Sequence, residues 1–391
     1  MKKLPARPRL CPALGETRRR NQALEAPARR PARGITYHSC MGERPPIHQP
    51  SQPEPPTPTL EAKVAFLKRP EAYPERPAEV QAVETHMSWV FLAGDHAYKL
   101  KKPVRHAYLD FSTIEARRVD CEAEIRLNRR LAPAVYLDTI ALTYGSKDGL
   151  GLSGSGKIVD WLVKMRRLPA ERMLDSLIRS EAVTRAEILQ LGSRLASFYA
   201  SAVRYTIAPA AYRQTLAQRI ADNLRELAAP EFGLDQRALE RLRSSQLGFI
   251  ANCSALLDRR VTEGRIVEGH GDLRPEHVCL LAEPVVIDCL EFNQEFRILD
   301  PADELGYLAL ECERLHAGDV GRWLLEGYTE ASGDATSAAL LHFYQSCRGV
   351  LRAKLAAWHL RDDGRREPER WLATAGEYLE LARRHADQAA C

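Results

Sequence analysis

The stretch EGHGDLRPEHVCLL, residues 268–281, with VVIDCLEF, residues 285–292, three residues beyond it, decides how this chain is read. The first half of the former is polar and turn-rich, with Gly269 and Gly271 on either side of His270 and the carboxylate of Asp272 just beyond. Its second half and the apolar run of VVIDCLEF are β-like, so the two suit the arms of a hairpin. Asp288 ends the second run, sixteen residues after Asp272, which predicts both carboxylates at one end of that hairpin. Paired carboxylates so placed hold a divalent cation well, with Glu291 as a further ligand. Asp272 can accept a hydrogen bond from a hydroxyl group, and His270 and Gly271 would shape the turn.

The rest of the composition bounds what this loop serves. The chain has 391 residues, 45% hydrophobic, enough for a two-part fold with a sizeable core. Its net charge of +4 is uneven: residues 1–58 hold 11 Lys/Arg and 4 Asp/Glu, leaving 45 against 48 in the remainder. The mildly acidic remainder argues against nucleic acid as a partner, except through the basic tail and its Arg clusters at Arg18, Arg19, Arg20, Arg29 and Arg30. That tail also carries 12 of the 24 prolines and one aromatic, Tyr37, so it is expected to be disordered. Translation starting at Met41 would remove most of it. Nine scattered cysteines with no C-x-x-C pair argue against structural zinc and suggest reduced thiols, hence a cytoplasmic protein. No apolar run long enough to cross a membrane is present, and the basic N-terminus lacks the apolar core of a signal peptide.

Working outward, TLEAKVAFL (59–67) has helical spacing, and VQAVETHMSWVFLAGDHAYKLKKPV (80–104) reads as three strands with a tight turn at Gly94 and Asp95. TIEARRVDCEAEIRLNRRL (113–131) reads as a helix, and YLDTIALTY (136–144) and KIVDWLVKMRRL (157–168) as strands. Residues 59–168 are thus expected to form a β-rich lobe carrying one prominent helix. Beyond it, Thr184 and Glu187 make a capping box, and helical patterns recur at 214–228, 235–262, 301–315, 319–330, 334–361 and 367–388. Residues 169–391 form a helical lobe with the quoted loop inside it. GLSGSGKI (151–158) matches the pattern of a phosphate-binding loop, but Ile158 stands where the hydroxyl is needed and a strand follows; it reads as a hairpin turn.

Phosphoryl transfer needs a cation on the phosphates, oxygen ligands for a metal, a carboxylate to orient the acceptor, and rigid positioning. The chain offers each in order. Lys99 and Lys101 alternate onto one face of the third strand. Glu122 and Glu124 follow on the helix, then Asp272, then Asp288.

Here the chain resembles the aminoglycoside phosphotransferase branch of the protein-kinase-like fold, and bacterial members of it with unknown substrate. The stretches that carry the resemblance are ETHMSWVFLAGDHAYKLKKPV, LDFSTIEARRVDCEAEIRLNRRLAP, VKMRRLPAERMLD, GHGDLRPEHVCLL and VIDCLEFNQEFRILDPADELGYLALE, spanning roughly residues 60–360. It implies an α+β bilobal fold, with a small β-rich N-lobe and a larger helical C-lobe. It further implies Lys99 as the phosphate-binding lysine, with Lys101 the fallback, and Glu124 as its helix partner. Thr85, His86 and Ser88 fall at the nucleotide-covering loop, and 165–168, with Met165 and Arg166, at the hinge that holds adenine. Asp272 resembles the catalytic base, Asp288 the metal ligand, and Asp303 the residue that braces the catalytic loop. His277 departs from the pattern, since most relatives have Asn there. Imidazole suits Mg²⁺ less well than Mn²⁺.

The expected function is therefore ATP- and Mg²⁺-dependent (or Mn²⁺-dependent) phosphoryl transfer to a hydroxyl of a small molecule. The alternatives are a pseudokinase-type nucleotide-binding or scaffolding module without turnover, which His277 favours, and an adaptor whose basic tail binds nucleic acid. The acceptor and the oligomeric state stay open. A cationic acceptor would call for acids near the site, for which Glu291, Glu295, Asp300 and Glu304 are candidates.

Overall fold

The computed structural model describes residues 57–106, 109–145, 149–361 and 367–390. The expectations for the Pro/Arg-rich tail and for a start at Met41 fall on residues up to 56, outside the described residues.

Strands β1 (Val80–Glu84), β2 (Ser88–Ala93) and β3 (His96–Lys101) form an antiparallel meander. Its second turn is made by Gly94, at φ 58°, and Asp95. The register sets Ser88 opposite Lys101, Val90 opposite Lys99 and Leu92 opposite Ala97, so these six side chains share a face. The other face buries Phe91, Tyr98 and Leu100 against Val64 and Leu67 of α1 (Leu60–Leu67) and against Tyr73. A two-residue pair, β4 (Arg105–His106) and β5 (Leu109–Asp110), leads to α2 (Ile114–Asn128). Thr113 caps α2 by accepting from the Ala116 N–H at 3.1 Å. Helix α2 lays Cys121 and Ile125 on the Lys99 face, beside Ala97, Val163 and Met165. Strands β6 (Tyr136–Gly145), β7 (Gly149–Leu152) and β8 (Lys157–Arg166) complete a six-stranded sheet of order β1-β2-β3-β8-β6-β7.

That order corrects the reading of GLSGSGKI as a hairpin turn. Strands β7 and β8 do not pair with each other; they flank β6. Residues 153–156 therefore pass from one side of β6 to the other against its backbone. A Cβ on Gly156 would stand 2.5 Å from the Tyr144 carbonyl, and one on Gly154 2.7 Å from Thr143 Oγ1. The glycines permit close passage over a strand.

The chain then turns helical: α3 (Leu174–Arg179), α4 (Arg185–Ser201), α5 (Pro209–Leu227), α6 (Gln236–Asn252) and α7 (Ser254–Thr262). The Thr184–Glu187 capping box is present. The pattern at 235–262 is two helices rather than one. The chain breaks at Cys253 so that Phe249 of α6 and Leu257 of α7 enter the same core. Four two-residue strands follow: β9 (Val267–Glu268), β10 (Val278–Cys279), β11 (Val285–Val286) and β12 (Ile298–Leu299), pairing as β9 with β12 and β10 with β11. Helices α8 (Pro301–Arg314), α9 (Gly318–Ser332), α10 (Ala338–Trp358) and α11 (Pro368–Gln388) complete the fold. Every residue of α8 from Pro301 to Cys312 is buried, because it runs between the two cores of this part. Among the described residues no helix is long and apolar enough to cross a membrane.

Candidate functional site

The loop between β9 and β10 is held from behind. Glu304, in the first turn of α8, accepts the backbone N–H of His270 at 2.9 Å and that of Gly271, and its second hold is the Tyr199 hydroxyl at 2.7 Å. Burial raises the Glu304 pKa, and the two loop N–H groups and Tyr199 oppose that rise. A Cβ at position 269 would lie 2.7 Å from Glu304 Oε2, so the close approach requires Gly269, while Gly271 takes φ 91°. The expectation that Asp303 braces this loop is corrected: Asp303 binds Arg348, at 2.7 and 2.8 Å, and the brace is its neighbour Glu304. On a buried helix, adjacent residues face different neighbours, and the sequence does not say which faces the loop.

His270 ties the loop to the Asp288 segment. Its Nε2 meets the Ile287 carbonyl at 2.9 Å, its Nδ1 accepts the Asp272 N–H at 3.3 Å, and its carbonyl accepts the Leu290 N–H at 3.0 Å. Burial, then the nearby His277, lowers its pKa to about 3, so the ring is neutral. Both ring nitrogens serve backbone groups, which makes His270 a positioning residue.

Asp272 is half-buried, with Tyr307 donating to Oδ1 at 3.2 Å and Arg274 Nε to Oδ2 at 3.1 Å. Burial pushes its pKa up, but Arg274, His277 and Arg352 outweigh this and hold it below the usual carboxylate range. Asp288 sits at φ 61°, a left-handed conformation costing about 1–3 kcal/mol that its surroundings must impose. Its N–H donates to the Tyr136 hydroxyl at 3.0 Å, and the next N–H, of Cys289, to Asn128 Oδ1 at 2.8 Å. Thus placed, Asp288 Oδ1 accepts from Lys99 Nζ at 2.7 Å, and Oδ2 lies 3.5 Å from His277 Nε2. Burial opposes ionisation of Asp288, yet Lys99 and His277 carry its pKa well below the carboxylate range.

The two lysines divide their work. Lys99 Nζ bridges Glu124, at 2.9 Å, and Asp288. Lys101 Nζ lies among Glu124 and Glu291, each at 2.5 Å, and Asp120 at 2.7 Å. The Lys101 side chain is 1% exposed and that of Lys99 14%, so Lys99 is the more open of the two. Asp120, Glu124 and Glu291 are close enough together to hold a cation, and the Lys101 ammonium stands at their centre. The structure therefore places Glu291 on Lys101, as part of that cage. Glu122 pairs on the surface with Arg118.

Thr85 and Ser88 close the β1–β2 turn: Thr85 Oγ1 accepts the Ser88 N–H at 3.0 Å and Ser88 is buried. Met165 is buried beside Ala97, Val163 and Tyr136. The N–H groups of Arg166 and Arg167 donate to the Val135 and Asp95 carbonyls, both at 2.8 Å, and so are taken by the protein. Around this strip lie the partly exposed apolar side chains of Val90, Leu92, Leu168 and Ile287.

His277 hydrogen-bonds the Asp272 carbonyl through Nδ1 at 2.8 Å, and its own carbonyl accepts the Ile287 N–H at 2.9 Å. With Nδ1 as donor, Nε2 accepts from Arg274 Nη2 at 3.2 Å, a guanidinium that an ion at this nitrogen would displace. Asp288 Oδ2 and His277 Nε2 are spaced to share one ion, and this mixed oxygen–nitrogen pair fits Mn²⁺ better than Mg²⁺. Asn128, Tyr136 and Tyr307 were missed in the sequence, and Glu304 was singled out only as an acid for a cationic acceptor; of the missed three only Asn128 left a signal, four residues after Glu124 on one helical face.

The sequence profile of the phosphotransferase enzyme family matches residues 93–344. Curated uncharacterized proteins of Mycobacterium tuberculosis and Mycobacterium bovis are 33% identical over 309 residues, 78% of this chain. The chain spans 59% of the length of these relatives. Among solved structures, a choline/ethanolamine kinase family protein from Mesorhizobium loti is 14% identical with a TM-score of 0.46, covering 82% of this chain and 99% of its own. A choline kinase from Cryptosporidium parvum is 8% identical with a TM-score of 0.49, covering 83% and 96%. A thermostable mutant of an aminoglycoside phosphotransferase is 13% identical with a TM-score of 0.46, covering 78% and 94%. The chain belongs to the phosphotransferase enzyme family, and its fold is a β-rich N-lobe followed by a helical C-lobe.

Proposed function

We propose that this protein transfers the γ-phosphoryl group of ATP to a hydroxyl of a small molecule. The observation that carries the reading is Lys99, bonded at once to Glu124 of the N-lobe helix and to Asp288, whose other oxygen faces the His277 imidazole of the loop that presents Asp272. A cation, a metal-competent carboxylate and an acceptor-orienting carboxylate thus converge on one place. Val90, Leu92, Leu168 and Ile287 supply the apolar slot that an adenine ring needs. The Leu168 N–H, which makes no hydrogen bond among the described residues, is the hinge donor left for the base. Lys99 holds the phosphates. Asp272 accepts a hydrogen bond from the acceptor hydroxyl, whose oxygen forms the new bond to phosphorus as ADP leaves. Asp288 and His277 would hold the divalent ion, which when bound neutralises phosphate charge.

The test is ATP turnover with Mg²⁺ and with Mn²⁺, in wild type and His277→Asn, scored by gain of one phosphoryl mass across a panel of hydroxylated metabolites and aminoglycosides. The expected result is turnover with a Mn²⁺/Mg²⁺ rate ratio that falls in His277→Asn, because an amide oxygen suits the harder ion. An unchanged ratio removes His277 from the metal, and no transfer with either ion removes the proposed activity.

A further inference from the structure

Three guanidinium groups gather around Asp272, and a fourth holds the 294–296 turn, whose Phe296 carbonyl would lie 3.5 Å from a Cβ on Gly271. Arg274 touches it directly. Arg348 lies over the Tyr307 ring, 4.9 Å from its centre, and the Tyr307 hydroxyl is on Asp272. Arg352, one turn after Arg348 on α10, acts electrostatically on both Asp272 and Tyr307. Arg219 of α5 is influenced electrostatically by Asp303 and Arg348, and its one printed contact is with the Glu295 carbonyl.

Three of the four are answered by acids. Arg274 meets Asp272 and Glu276, Arg348 meets Asp303 on two bonds, and Arg352 meets Glu311 at 2.8 Å. Arg219 is not answered. Its one hydrogen bond is from Nη2 to the Glu295 carbonyl at 2.9 Å, and no carboxylate lies within ion-pair distance of it among the described residues. Burial lowers its pKa, and Asp303 and Glu295 offset that only in part. Arg219 is half-buried, and a cation without a counter-ion beside the site is a place where an arriving anion gains a charge-assisted bond.

Three of the four acids that would receive a cationic acceptor are otherwise engaged. Glu291 is on Lys101, Asp300 is on Arg260 at 2.6 and 2.8 Å, and Glu304 is on the loop backbone. Glu295 is exposed and offers Arg219 its carbonyl. Meanwhile Nη1 of Arg348 makes no hydrogen bond among the described residues, so the edge of that guanidinium is open.

We propose that the acceptor is a hydroxyl compound bearing an anionic group, a carboxylate or a phosphate, which Arg219 and the open edge of Arg348 hold while Asp272 faces the hydroxyl. This rests on the phosphotransferase reading and narrows its substrate class.

Two measurements test it. In the first, inorganic sulfate is titrated against thermal unfolding of wild type, Arg219→Gln and Lys99→Met, with no turnover required. Sulfate should raise the unfolding temperature of wild type and of Lys99→Met, and its apparent affinity should fall roughly tenfold or more in Arg219→Gln. Arg219→Gln should itself fold about as stably as wild type, since the half-buried Arg219 makes no ion pair and one hydrogen bond, to the Glu295 carbonyl. Loss of the sulfate effect in Lys99→Met but not in Arg219→Gln, or in neither variant, overturns the proposal. In the second, ADP formation is compared for a sugar acid, a sugar phosphate, the uncharged parent sugar and an aminoglycoside. An anionic member should be preferred, which of the two identifying the group, and Arg219→Gln should raise its KM while leaving kcat. Preference for the uncharged or cationic member overturns the proposal while leaving the phosphotransferase reading standing. A sulfate effect centred on Arg219 without any ATP turnover has the opposite meaning: it supports the anion site and counts against that reading.

Discussion

Lys99 and Lys101 sit two residues apart on β3 and reach the same carboxylate, yet they predict opposite consequences when removed. Alternation along the strand was enough to put both on one face. Which one meets Asp288 depends on where the 285–292 segment lies, a contact across 189 residues that no local pattern encodes. Lys99→Met leaves Asp288, whose side chain is 44% exposed, to be rehydrated. It should fold normally and lose nucleotide affinity. Lys101→Met leaves Asp120, Glu124 and Glu291 buried together without their cation. Stripping one partner from a buried ion cluster costs about 3–5 kcal/mol. The sign of its pH dependence follows from Glu291: burial raises its pKa and Lys101 opposes the rise, so without Lys101 protonation favours folding and the deficit shrinks as pH falls. Urea unfolding of both variants at neutral and acid pH checks this, and equal stability of the two would remove the cage from the account.

Among the elements, α8 does most to shape the site, and it was the hardest to interpret in advance. Its position was legible from Asp300–Pro301 and the apolar spacing, but a helix buried on every side has no polar face to orient it. Hence Asp303 and Glu304 were indistinguishable until the packing was known. Likewise the two-residue strands β9 to β12 exist only through pairing partners, and the break between α6 and α7 at Cys253 is imposed by the core. The N-lobe strands β1 to β3, β6 and β8, apolar-rich and in part set off by a glycine turn, were legible; β7 and the crossing that follows it were not. Glu304→Ala deprives the His270 and Gly271 N–H groups of their acceptor, at a cost of about 1–3 kcal/mol for each buried group left unmade. We expect reduced kcat with nearly unchanged nucleotide affinity, and partial recovery in Glu304→Gln, which keeps one oxygen. Loss of nucleotide affinity equal to the loss in kcat would show that the brace is not specific to the loop.

At the scale of the whole molecule, the lobes meet through polar contacts grouped at the site. Besides Lys99 with Asp288, Arg130 donates to the Glu268 and Gly269 carbonyls at 3.0 and 2.9 Å, Asn128 accepts from Cys289, and Tyr136 from Asp288. The β-rich and helical halves were readable from their periodicities; their mutual clamp, made by side chains far apart in sequence, was not. The account assigns the two aspartates at this junction separate tasks, acceptor positioning to Asp272 and metal–nucleotide binding to Asp288. Calorimetric binding of ATP with Mg²⁺ or Mn²⁺, run beside ADP formation in wild type, Asp272→Asn and Asp288→Asn, tests that most directly. The account predicts near-normal nucleotide affinity with turnover slowed roughly 10²–10⁴-fold in Asp272→Asn, and loss of metal-dependent binding in Asp288→Asn. Equal ATP binding by the two variants, or undiminished turnover in Asp272→Asn, would contradict it.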